Sequence, residues 1–155
     1  MSLASLEQTV EELRSLPRDA QITNLITLAG DLKQLAPDST QRWEVEDVRQ
    51  DLECADTVGL YVRRSESGVR LAAEVGSEVT TLTKALTALM VQHLDGETPS
   101  AIASVTASQL SSIVPESLLR QRQNTVNYAV QRLQDAVGKL EPVTKGNESR
   151  AANIL

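Results

Sequence analysis

The run TVGLYVRRSESGVRLAAEV, residues 57–75, decides the fold. In its first half Val58, Leu60 and Val62 alternate with Thr57, Gly59 and Tyr61, and in its second half Val69, Leu71, Ala73 and Val75 repeat the period of two. Successive side chains of a strand point to opposite faces, so each half reads as a strand with one apolar face. The turn-forming SESG at 65–68 joins them as an antiparallel hairpin. Just upstream, RWEVEDV at 42–48 supplies a third strand. The centre of the chain is expected to be a small antiparallel three-stranded sheet.

The sole cysteine, Cys54, stands between the first two of these strands, among Asp51, Glu53 and Asp56. Extending the strand of Val58, Leu60 and Val62 backward would turn Asp56 and Cys54 inward, and burying an unpaired carboxylate is costly. The strand is therefore expected to begin near Thr57, with Cys54 in the loop before it and its thiol available to reagents. Carboxylates close to the sulfur would raise its pKa and keep it a resting thiol, whereas a nearby arginine would lower it. Cys54 reads either as a group that reacts when a partner brings the sulfur electrophile or, equally well, as a small packed residue.

Helices flank this centre. SLEQTVEELRSL opens with Ser5 and Gln8 at capping-box spacing and sets Leu6, Val10 and Leu13 on one face. After Pro17, with Asp19 as a candidate cap, Ile22, Leu25, Ile26, Ala29, Leu32 and Leu35 continue a helical stripe to Pro37. On the other side, Ser77 is the expected cap of a long helix striped by Val79, Leu82, Leu86 and Leu89. Thr98 and Pro99 then start a short helix. Past Pro115 a last long helix carries Leu119, Val126, Val130, Leu133, Val137 and Leu140. The pattern predicts an α+β fold: a single domain over 1–140, N-terminal and C-terminal helices packed on the sheet, and a flexible polar tail over 141–155.

Composition narrows the function. The 155 residues suit one domain. Fifteen basic against 21 acidic residues give a net charge of −6, and the pairs Arg63–Arg64 and Arg120–Arg122 have no interleaved aromatics, which argues against nucleic acid. A lone cysteine forms no internal disulfide and points to a reducing compartment. The acid-bearing N-terminus does not read as a secretory signal, so the cytoplasm is the expected location. The apolar run ALM with Val91 falls far short of the roughly 20 residues a membrane helix needs. His93, the only histidine, lies at the edge of a helix's apolar face and supports neither a zinc site with Cys54 nor a serine-type triad. Neither phosphate-binding glycine pattern occurs, and no metal site is expected.

Arg122 is the second candidate. It sits three residues after Leu119 and four before Val126, on the seam of the last helix, where a guanidinium must snorkel out or find a partner. A salt bridge to a nearby carboxylate is the simpler expectation for it.

Taken in order, these pieces resemble the SufE/CsdE family of sulfur acceptors. The family pattern is G-C-x-S-x-V-W before a strand, a glycine-containing hairpin, G-D-S-D-A-x-I-V-K-G-L, then T-P and S-R-x-N-G. Here Cys54 and Val58, Gly68, GSEVTTLTKAL with Gly76, Lys84 and Leu86, TPSAI from Thr98, and RQNTV with Arg122 and Asn124 correspond. Upstream, ITLAGDL is similar to the family's I-x-L-G-x-x-L helix, and the resemblance spans roughly 10–140. It departs at Glu53 for glycine, Asp56 for serine, Gly59 for tryptophan and Thr125 for glycine.

The resemblance implies a SufE-like fold and an accessory protein rather than an autonomous enzyme. Cys54 would take the terminal sulfur of a persulfide on a cysteine desulfurase of the SufS/CsdA type and activate that enzyme. The sulfur would pass toward iron–sulfur cluster assembly, with iron–sulfur scaffold proteins as further partners. Arg122 would orient or stabilise the cysteine loop, and Glu53 and Asp56 would face the partner. The protein would need no cofactor of its own, since the pyridoxal phosphate belongs to the desulfurase. Lys84 points away from the apolar stripe of its helix and is expected on a solvated face. The altered cysteine loop keeps two other readings open, a binding module that regulates a partner without sulfur transfer and a helical adaptor with a structural cysteine.

Overall fold

The computed structural model describes residues 2–50 and 56–140. Cys54, Glu53, Asp51 and the expected tail over 141–155 lie outside the described residues. Among the described residues, three strands, β1 (Val45–Gln50), β2 (Thr57–Arg64) and β3 (Val69–Val75), form one antiparallel sheet in the order β1-β2-β3. Leu60 lies opposite Asp47 on one side and Ala73 on the other. Both hairpins follow the expected alternation, and β1 is the third strand read from 42–48, starting after Trp43. The fold is α+β.

The even-numbered side chains of β2, Val58, Leu60 and Val62, join Val45, Val69, Leu71 and Ala73 on the inner face. That face packs on α3 (Thr81–Leu94) and α6 (Glu116–Gly138), while α1 (Leu3–Arg14) and α2 (Arg18–Asp31) cover the far side of α3. α3 is apolar around most of its circumference, as a central helix must be. Leu86, Leu89 and Leu94 are each fully buried, and truncating any of them to alanine would cost about 2–5 kcal/mol. Two short helices, α4 (Pro99–Ala103) and α5 (Ala107–Ser111), lead the chain across to α6.

Helix starts follow their caps. α4 is capped by Thr98 with Pro99 in the first turn, as expected. α1 starts earlier than expected, because Ser2 and Ser5 form a reciprocal capping box and the Glu97 carboxylate accepts the Leu3 N–H at 2.7 Å. Beyond α2 the stripe continues as a 3₁₀ turn, Leu32–Leu35, before Pro37. α3 begins at Thr81 with Thr80 as its cap, not at Ser77.

The β2–β3 turn is tied to the end of α3. Val69 N–H donates to the Glu97 carbonyl at 2.9 Å, and Gly96 N–H donates to the Val69 carbonyl at 2.7 Å. A Cβ on Gly68 would stand 2.3 Å from the Glu97 carbonyl oxygen, so only glycine fits there. Gly96 itself has φ +92°, the left-handed region that glycine enters without strain. The expected SESG hairpin loop thus has a tertiary reason for its glycine.

Candidate functional site around the β1–β2 connection

Gln50 and Thr57 pair across the β1–β2 hairpin, so the chain that holds Glu53 and Cys54 leaves and re-enters the sheet at one end. Its re-entry point is firmly built. Asp56, immediately before β2, is 0 % exposed. Its carboxylate accepts the Thr83 hydroxyl at 2.6 Å, the Thr80 N–H at 3.2 Å and the Thr80 hydroxyl at 3.3 Å. Thr80 Oγ1 in turn accepts the Thr83 N–H, so the carboxylate crowns the N-terminus of α3, where peptide dipoles favour negative charge. One residue on, the Thr57 carbonyl accepts the Gly76 N–H at 2.9 Å.

This arrangement corrects the reasoning applied to Asp56 from the sequence. β2 does begin at Thr57. Yet Asp56 faces inward, because the first turn of α3 supplies the donors that a buried carboxylate requires. A wholly buried carboxylate directed at α3 anchors the start of β2; it is not displayed on the surface where a partner would meet it. Glu53, the other acid expected to face a partner, lies outside the described residues, as does Cys54.

Arg122 also differs from expectation. Its φ of −129° and ψ of 22° break the helical geometry of α6, and the break turns the side chain off the seam into solvent. It makes no hydrogen bond or ion pair with another described residue, so the expected salt bridge is not formed among them. The seam resumes with Val126, Val130, Leu133 and Val137, all buried. His93 sits at the boundary of α3, its Nδ1 2.9 Å from Ser5 Oγ, and burial pulls its pKa below the usual value.

Asp47 and Arg132 are buried charged residues that local sequence pattern does not single out. Asp47 on β1 is 5 % exposed and accepts Arg49 at 2.7 and 3.1 Å and Lys139 Nζ at 2.9 Å, while Arg49 also reaches Asp135 at 3.0 Å. The hydrogen bonds from Arg49, with Lys139 in support, hold the Asp47 carboxyl below the ordinary carboxylate range. Arg132 of α6 is 3 % exposed, among Val58 and Leu60 of β2 and Thr87 and Met90 of α3. Ala129 and Ala136, one turn to either side, leave it room, and that small–Arg–small spacing was the available signal.

On the outer face of the sheet Tyr61 lies over Gly59, where a Cβ would meet the ring at 3.2 Å. Trp43 meets Tyr61 edge-on at 6.2 Å and takes the Arg63 guanidinium 5.4 Å from its ring centre. The Tyr61 hydroxyl donates to Glu74 at 2.5 Å, and this bond pushes its pKa up to about 12. No helix among the described residues is long and apolar enough to cross a membrane. No group of three metal-ligating side chains occurs among them.

Residues 7–137 match the family model described as SufE: Fe-S metabolism associated domain. Among solved structures, the solution structure of a hypothetical protein from Thermus thermophilus is similar, with a TM-score of 0.67 and 25% identity, over 90% of this chain and 97% of that one. No curated protein matches the chain significantly.

Proposed function

The chain belongs to the SufE family of Fe-S metabolism associated domains, and on that premise we propose that it accepts persulfide sulfur on Cys54 from a cysteine desulfurase. The single observation that supports this reading is the anchoring of Asp56. Two residues after Cys54 the chain is pinned to the N-terminus of α3, which fixes the position from which the Cys54-bearing segment departs.

The chemistry is thiol–persulfide exchange. The Cys54 thiolate attacks the terminal sulfur of the desulfurase persulfide; the old S–S bond breaks, the desulfurase cysteine leaves as a thiolate, and a persulfide forms on Cys54. Sulfur changes carrier without net oxidation or reduction. Pyridoxal phosphate stays with the desulfurase, and an iron–sulfur scaffold is the eventual recipient. Arg122, exposed and without an ion pair among the described residues, is the side chain we assign to stabilising the cysteine loop or its persulfide.

Intact-protein mass spectrometry after incubation with a cysteine desulfurase and cysteine tests this. A reducible gain of one sulfur on the native chain and none on Cys54→Ala is expected. Absence of that gain, with binding retained, would leave the second reading, a regulatory module without sulfur transfer. The acidic residues Asp51 and Glu53 beside Cys54 favour that reading, since they disfavour a thiolate there.

A further inference from the structure

A groove of about 410 Å³ runs between the end of α2, the 3₁₀ turn, β3 and the first turns of α3. Its walls include Ala29, Ala36, Ala73 and Val75, and Lys33 and Lys84 line it. Neither lysine side chain forms a salt bridge or hydrogen bond with another described residue. Glu74 is the one acid lining it, and its Oε1 already accepts the Tyr61 hydroxyl. In a chain of net charge −6, two uncommitted lysines over an apolar wall are a local reversal of sign. Lys84 is half-buried rather than solvated.

Position adds weight. Val75 pairs with Val58, the next residue of the chain donates the Gly76 N–H to Thr57, and Lys84 stands one turn beyond the Thr80 that holds Asp56. The groove therefore opens beside the point where the cysteine-bearing connection re-enters the sheet. Its volume suits a few side chains, and its mixture of apolar wall and cations suits a peptide that carries both apolar and acidic residues.

We propose that this groove is a docking site for an acidic, partly apolar surface segment of the sulfur-donating partner. Lys33 and Lys84 pair with its carboxylates while its apolar side chains cover Ala29, Ala36 and Val75. The proposal rests on the reading of the chain as the partner of a cysteine desulfurase.

Calorimetric titration of a cysteine desulfurase into the full chain tests it, with two variants that perturb the groove in different ways. Lys33→Glu combined with Lys84→Glu reverses the charge. Gly30→Trp fills the space, since a Cβ at Gly30 meets nothing within 4 Å and the helix gains from losing a glycine. Thermal melting establishes that both variants fold. Each is expected to bind at least about tenfold more weakly than the native chain. Raising salt from about 0.05 M to about 0.3 M should weaken the native complex more than that of the charge variant. Binding within about twofold of native by both variants overturns the groove and leaves the sulfur-acceptor reading standing. Loss on charge reversal with full binding by Gly30→Trp overturns it too, because the charge would then act outside the groove. A native chain that does not bind the desulfurase at all overturns both the reading and the groove together.

Discussion

Asp47 and Asp56 are buried acids of one β hairpin, the first before and the second after the segment that holds Cys54, and the fold satisfies them in different ways. Asp47 is met by cations whose own side chains are partly open, Arg49 at 35% and Lys139 at 55% exposure. Asp56 is met by two threonine hydroxyls and a backbone amide on a helix start, with no exposure at all. The first arrangement depends on charge and can rearrange into water. The second depends on shape, and fixes where α3 begins relative to the sheet.

The comparison breaks most visibly at Asp56. Asp56→Ala strands the donors of Thr80 and Thr83 and should lower stability by about 3 kcal/mol in urea unfolding. Thr83→Val removes the 2.6 Å bond to Asp56 and should cost about 2 kcal/mol. If both substitutions cost less than Asp47→Asn, the difference between the two sites is not one of enclosure.

At Asp47 the effects should be smaller. Asp47→Asn is expected to cost about 1 kcal/mol at neutral pH, because the freed Arg49 and Lys139 regain water. Its pH dependence has a definite sign. The carboxyl is held below its ordinary value, so its contribution is complete above about pH 4 and is lost as the pH falls through the lower folded value. Asp47→Asn should therefore flatten the stability curve below about pH 4, read by unfolding at a series of acid pH values.

The smallest effect belongs to Lys139→Met, about 0.5 kcal/mol, and it should shrink further at high salt.

Much of the fold was legible because it is periodic. β2 and β3 announce themselves by a period of two, and α6 by Val126, Val130, Leu133 and Val137. The start of α3 was not legible, since Ser77 and Thr80 are equally good caps by type, and the choice falls to Asp56, 24 residues earlier. Asp47 and Arg132 stayed hidden for a related reason. A charged residue on an apolar face reads as an interruption unless its distant partners or the small residues around it are considered. Of the candidate site, the sequence located the connection that bears Cys54 and the role of Thr57 as the first residue of β2. It missed the direction Asp56 faces and the break at Arg122, which follow from contacts and backbone geometry that no local pattern encodes.

That break has a consequence for how α6 opens. Before it, residues 116–121 include no buried side chain; after it, Val126, Ala129, Val130, Leu133, Ala136 and Val137 are buried in the core. The helix is thus two cooperative units in series. Native-state hydrogen exchange should show the amides of the first unit trading with solvent by local fraying, while those of the second wait for global unfolding. Arg122 stands at the seam between those two clocks, on the last residues of the helix's first unit that can rearrange without disturbing the core.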